Sequence, residues 1–122
     1  MEEFAKYVDA NQDRFLAELR DLCAQPSIAA QGVGMDECAQ LVAEMLRRRQ
    51  FSVEVIPTKG FPVVLAERTG QSDRTLLFYN HYDVQPPDPL DEWISPPFEP
   101  TVRDGRVYAR GVADDKGDLL CR

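Results

Sequence analysis

The stretch "RTLLFYNHYDVQPP", residues 74–87, decides how this chain is read. Its first half, "RTLLFYN" over 74–80, is apolar enough for a strand buried on both faces, as in the sheet of an α/β protein. The run ends on His81, the one histidine in the sequence, and Asp83 follows two residues later. Side chains two apart on extended chain point to the same side. An imidazole so placed can bind a metal through one nitrogen while the other faces the carboxylate, which fixes the tautomer and raises ligand basicity. The C-terminal end of a buried strand is also where open α/β sheets place their ligands. A loop histidine beside an ordinary hydrogen-bonded aspartate has the same His-x-Asp pattern, so these residues alone leave both readings open.

Upstream, residues 2–24 carry Phe4, Tyr7, Val8, Phe15, Leu19 and Leu22 at helical spacing. Pro26 and "SIAAQGVG" end that helix. A second helix is expected over 35–49, with Cys38, Leu41, Val42, Met45 and Leu46 on one face. The "RRR" at 47–49 suits its negative C-terminal end. "FSVEVI" (51–56) and "FPVVLAER" (61–68) read as strands joined by a turn. Downstream, residues 85–100 hold six prolines and little periodicity, which predicts a long ordered loop. "TVRDGRVYAR" places Asp104-Gly105 between short alternating runs, a hairpin signal. "GVADDKGDLLCR" is a loop that opens a last helix. Helices, then strands, then a helix start predict a layered α/β fold, helix–sheet–helix, with no repeat, linker or internal domain boundary. So few strands, and so short a last helix, imply an N-terminal piece of a longer protein.

A length of 122 residues suffices for one modest core. The formal net charge of -7 argues against nucleic acid or an anionic membrane as the main partner. No apolar run reaches the length of a membrane span. The acidic, amphipathic N-terminus resembles neither a signal peptide nor a transit peptide. Cys23, Cys38 and Cys121 lack metal-type spacing, and an odd count fits reduced thiols in a cytoplasmic protein. Cys23 and Cys38 are expected to be buried as small apolar side chains.

"RGVADDKGD" is the second candidate for chemistry. Asp114 and Asp115 are adjacent carboxylates on a turn, with Lys116 and Asp118 beside them. Like charges so close repel unless a cation or a donor stands between them. A divalent metal would resolve the repulsion, and so would a solvated turn that caps the next helix.

Taken together, "NHYDVQP", "W…PPFEP" and "DGRVYARGVADDKG" resemble the N-terminal catalytic region of the co-catalytic zinc peptidases. That family includes aminoacylases, carnosinases, bacterial dipeptidases, glutamate carboxypeptidases and succinyl-diaminopimelate desuccinylases. The likeness is dense from Leu76 to Gly117, and its wording is nearest the dipeptidase and carnosinase branch. One departure is Asn80, where the family pattern usually has glycine.

The resemblance implies metal-dependent hydrolysis of a peptide or N-acyl amide bond. It implies two divalent metals, zinc above all, with cobalt and manganese as alternatives. His81 would bind one metal and Asp114 would bridge both. Asp83 would be the catalytic-site carboxylate that orients His81. The peptide after Asp114 is cis in the family; without metal a relaxation to trans is conceivable. A glutamate base, the remaining ligands and a smaller lid or dimerisation domain, and with it a homodimer, would lie further along. Residues 1–122 are thus expected to be an incomplete catalytic domain, inactive and metal-free on their own. Trp93, Pro97 and Phe98 match a family stretch read as packing. Arg110 and Lys116 are expected to neutralise nearby carboxylates.

Two other classes compete. A non-catalytic relative or association domain would use unpaired sheet edges and an apolar face as a docking surface. A magnesium-dependent phosphoryl-transfer enzyme built on Asp83 and Asp114 fits less well, because no phosphate-cradling glycine loop is present.

Overall fold

The computed structural model describes residues 1–121. Two helices come first, α1 (Glu2–Ala24) and α2 (Met35–Arg48). An antiparallel pair follows, β1 (Ser52–Ile56) and β2 (Val63–Glu67). A short hairpin, β3 (Thr101–Arg103) and β4 (Arg106–Tyr108), and the helix α3 (Lys116–Cys121) complete the order.

The core forms where α1, α2, β2 and α3 meet. Leu22, Cys38, Val42 and Met45 are buried together, and Leu41, Leu46, Val64, Tyr82 and Leu119 pack against them. Helical spacing explains α2: positions 35, 38, 39, 42, 43 and 45 are buried on one side. Asp36 and Glu37 lie in its first turn, and Arg47 and Arg48 in its last, so charge follows the helix dipole at both ends. Arg49, just beyond, ties α2 to α1 through an ion pair with Glu18. In the first sheet the register pairs inward Val53 with Ala66 and inward Val55 with Val64. Asp104 and Gly105 take positive φ values of 49 and 71, as the tight turn of the second hairpin requires. Gly34 starts α2 at φ 68, and a Cβ there would stand 2.0 Å from the Pro26 carbonyl oxygen. That close approach lets the α1–α2 connection fold beneath the site.

One expectation needs correction. Residues 74–80 are not a strand: no strand pairs with them among the described residues. Leu76, Leu77, Phe78 and Tyr79 are instead exposed, Leu77 at 84% and Tyr79 at 86%. Apolar character reports a preference for burial, but a strand exists only where a partner accepts its ladder. Helices and small sheets make up the α/β fold, and its strands form two separate two-stranded sheets. Phe4 and Tyr7 are exposed on the first half of α1, where no element among the described residues covers them. Cys23 and Cys38 are buried as expected, and Cys121 is exposed.

Candidate metal centre

The site is built where two loops meet above the core. Residues 81–84 are fastened from below by the α1–α2 connection. Ser27 Oγ donates to the Tyr82 carbonyl at 2.6 Å, and the Val84 N–H donates to the Ser27 carbonyl at 2.8 Å. The Tyr82 hydroxyl donates to the Pro62 carbonyl at 2.6 Å, reaching the turn between β1 and β2. The second loop, 111–115, is fastened by Lys116. Its side chain is fully buried, and Nζ donates to the carbonyls of Leu22 (3.0 Å) and Gln25 (2.6 Å). These oxygens belong to the C-terminal end of α1, where carbonyls lack helical partners and the dipole favours a cation. Burial pushes the Lys116 ammonium below its ordinary pKa. Gly111 adopts φ 82 and packs so closely that a Cβ would meet the Val84 side chain at 2.5 Å.

This scaffold brings His81, Asp83 and Asp114 together. His81 Nδ1 lies 3.1 Å from Asp83 Oδ1, and Nε2 lies 3.0 Å from Asp114 Oδ1. Both ring nitrogens thus face carboxylate oxygens, yet a neutral imidazole carries one N–H. With that proton on Nδ1, toward Asp83, the Nε2 lone pair would oppose an anionic oxygen. The contact needs a cation, either a second proton or a metal. Burial works to lower the His81 pKa, but the Asp83 hydrogen bond and the charges of Asp83, Asp114 and Asp115 outweigh it and raise the pKa above its usual value. Asp114 is largely exposed, so the junction opens to solvent.

The donor set suits a divalent metal. An imidazole nitrogen and a carboxylate oxygen 3.0 Å apart match two metal–donor bonds of about 2.0–2.2 Å. Among the described residues no group of three or more His, Cys, Asp and Glu is placed to hold a metal. The Asp114–Asp115 peptide is cis, not relaxed to trans.

Asp115 has a place that sequence reasoning did not assign. Its Oδ2 accepts from the Asn80 amide at 2.8 Å and from the His81 N–H at 3.3 Å. Ser27 and Lys116 were also missed as anchors. A lysine opening a helix reads as surface charge, and only the path of α1 reveals its partners. Arg110 and Lys116 therefore differ from expectation. Arg110 donates to the Pro86 carbonyl at 3.1 Å and lies over Trp93, while Lys116 serves the end of α1. Trp93, Pro97 and Phe98 are partly buried; Trp93 Nε1 donates to Pro87 O, and the Arg110 N–H to Pro97 O.

A histidine thus stands between two aspartates on a helix-and-small-sheet scaffold. Residues 77–122 match the model of Peptidase family M20/M25/M40. The chain is 42% identical over 104 residues to a succinyl-diaminopimelate desuccinylase from an Azoarcus species, covering 85% of this chain and 26% of that protein. A desuccinylase from Bordetella petrii is 40% identical with the same coverage. Among solved structures, an M20 family metallo-carboxypeptidase from Sulfolobus solfataricus superposes with a TM-score of 0.84 at 44% identity, over 87% of this chain and 24% of that one. Human carnosine dipeptidase 1 superposes with a TM-score of 0.86 at 32% identity, over 98% and 28%. Over residues 77–122 the chain matches the M20 peptidase family, and over most of its length it is similar to the N-terminal part of M20 enzymes. It spans about a quarter of the length of the curated relatives it matches.

Proposed function

We propose that this chain is the N-terminal part of the catalytic domain of a metal-dependent hydrolase that cleaves a peptide or N-acyl amide bond. The reaction would be of the dipeptidase, carboxypeptidase or N-acyl amino acid deacylase type. One observation carries the reading: His81 is gripped by Asp83 on Nδ1 and turned by Nε2 onto Asp114. In this reading His81 and Asp114 are metal ligands, and Asp83 acts through His81. When bound, two divalent metals, zinc foremost, supply a water of lowered pKa and a Lewis acid for the scissile carbonyl. This chain's own part is electrostatic and geometric. Asp83 holds the Nδ1 proton, which leaves the Nε2 lone pair free to donate. Asp114 offers two oxygens on a solvent-facing loop. The general base and remaining ligands lie in the rest of the protein, which would act in the cytoplasm. No helix among the described residues is long and apolar enough to cross a membrane.

The test is hydrolysis of dipeptides and N-acyl amino acids by the full-length protein, with and without a chelator. Chelator-sensitive turnover is the expected result; its absence rejects the proposal. Residues 1–122 alone are expected to show no turnover, and zinc affinity weaker than micromolar by calorimetry. Submicromolar, His81-dependent binding by this segment would contradict that expectation.

The exposed run Leu76–Tyr79 favours a second reading, an association surface. Contiguous exposed apolar side chains in extended chain invite pairing. Residues 1–122 should then sediment as concentration-dependent oligomers, and Leu77→Asp should shift them toward monomer. A monomer at all concentrations removes this reading.

A further inference from the structure

Asn80 and Asp115 sit directly behind the two candidate ligands: Asn80 precedes His81, and Asp115 follows Asp114. Their side chains meet at 2.8 Å, and the same Asp115 oxygen takes the His81 backbone N–H at 3.3 Å. Two donors from one loop thus converge on one carboxylate oxygen of the other. Ser27 and Lys116 fasten each loop to the core some distance below. The Asn80–Asp115 contact instead joins loop to loop at the level where the His81 ring meets Asp114.

We infer that Asn80 is a positioning residue of the metal centre: its amide latches Asp115 onto the His81 backbone and so sets the approach of His81 to Asp114. The inference rests on the reading of His81 and Asp114 as ligands. A glycine at this position, as in the family pattern, has no side-chain donor, so the contact from this side chain to Asp115 is lost while that of the His81 backbone N–H remains. The amide adds a charge-assisted hydrogen bond, of the stronger class because its acceptor is ionised. Asn80 is half-buried, so it can be exchanged without opening the core. Its chemistry also dictates an order among variants. Serine keeps a donor on a shorter arm, glycine has none, and aspartate sets a second anion against Asp115.

The experiment compares full-length wild type with Asn80→Ser, Asn80→Gly and Asn80→Asp. Thermal melts accompany three readouts: hydrogen–deuterium exchange of the peptide containing His81 in metal-free protein, zinc affinity by competition, and kcat separately from KM. Expected for Asn80→Gly are exchange at least about tenfold faster and zinc affinity about 10–100-fold weaker, the range for groups that orient metal ligands. KM should stay near wild type. Asn80→Ser should fall between wild type and glycine, and Asn80→Asp should be weakest, an order that thermal stability need not follow. Wild-type exchange and zinc affinity in Asn80→Gly would overturn the inference, whatever the activity. Wild type without chelator-sensitive hydrolysis, but with exchange and affinity in the stated order, would reject the proposed reaction and leave the latch standing.

Discussion

Replacing His81 with alanine in the full-length protein is expected to lower kcat/KM by on the order of 10³-fold or more and to reduce bound zinc. The magnitude follows from the several kcal/mol that metal catalysis supplies, at 1.36 kcal/mol per factor of ten. His81 is the sole histidine of the chain, and its Nε2 is the one ring nitrogen turned toward Asp114. No neighbouring imidazole in this chain can substitute. Asp83→Asn should cost less, about 10–100-fold, because the ring would keep a hydrogen-bond partner while losing the carboxylate charge. Steady-state kinetics with metal analysis of the dialysed proteins checks both. An alanine variant with wild-type turnover and zinc content would remove His81 from the site. Equal losses in the two variants would mean that Asp83 does more than orient the ring.

The second large effect is on stability. Lys116→Met should destabilise the folded protein by about 2–3 kcal/mol, since each buried acceptor left without a donor costs roughly 1–3 kcal/mol and removing the ammonium returns part of its desolvation cost. Two carbonyls, those of Leu22 and Gln25, would lose the Nζ donor. For residues 1–122 alone the melting temperature should drop by roughly 10 °C. Methionine fills most of the lysine stem's volume, so the loss reports hydrogen bonding more than a cavity. Lys116→Arg should be no milder. A planar guanidinium is larger than the fully buried site accommodates. Calorimetric melts of metal-free protein decide the point. A methionine variant as stable as wild type would show that the carbonyls find other donors. The consequence reaches the site as well, because Lys116 follows Asp115 and its anchoring at α1 carries the 114–115 turn. Zinc affinity should weaken along with the melt.

Much of the architecture was legible from local pattern. Apolar spacing gives α1 and α2 to within a residue or so, and alternation gives β1 and β2. Asp104-Gly105 signals its hairpin because positive φ is written in the residue types. Residues 74–80 failed the same treatment. Their apolarity reads as a buried strand, but a strand requires a second chain segment to pair with, and no local signal states whether one is present. Phe4 and Tyr7 repeat the lesson on α1: spacing defines a face, and only packing tells whether anything covers it.

The candidate site divides in the same way. His81 and Asp83 stand out in the sequence because His-x-Asp puts two groups on one side of an extended chain, whereas Asp114 is singled out from Asp115 and Asp118 only by the resemblance to the zinc peptidases. Within that pair the distance is short-range and nearly dictated by the backbone. The 33-residue separation between His81 and Asp114 is different. Closing it depends on a carbonyl of Ser27, the buried ammonium of Lys116 and the Asn80–Asp115 contact. Hydrogen bonds between distant segments leave no periodic trace, since each is a meeting of two groups that many sequences could supply. Residue chemistry and local spacing were therefore determined by the sequence read alone. Which groups face one another across the two loops was decided by the tertiary structure, through the buried anchors Ser27 and Lys116, whose donors must find acceptors because water cannot reach them.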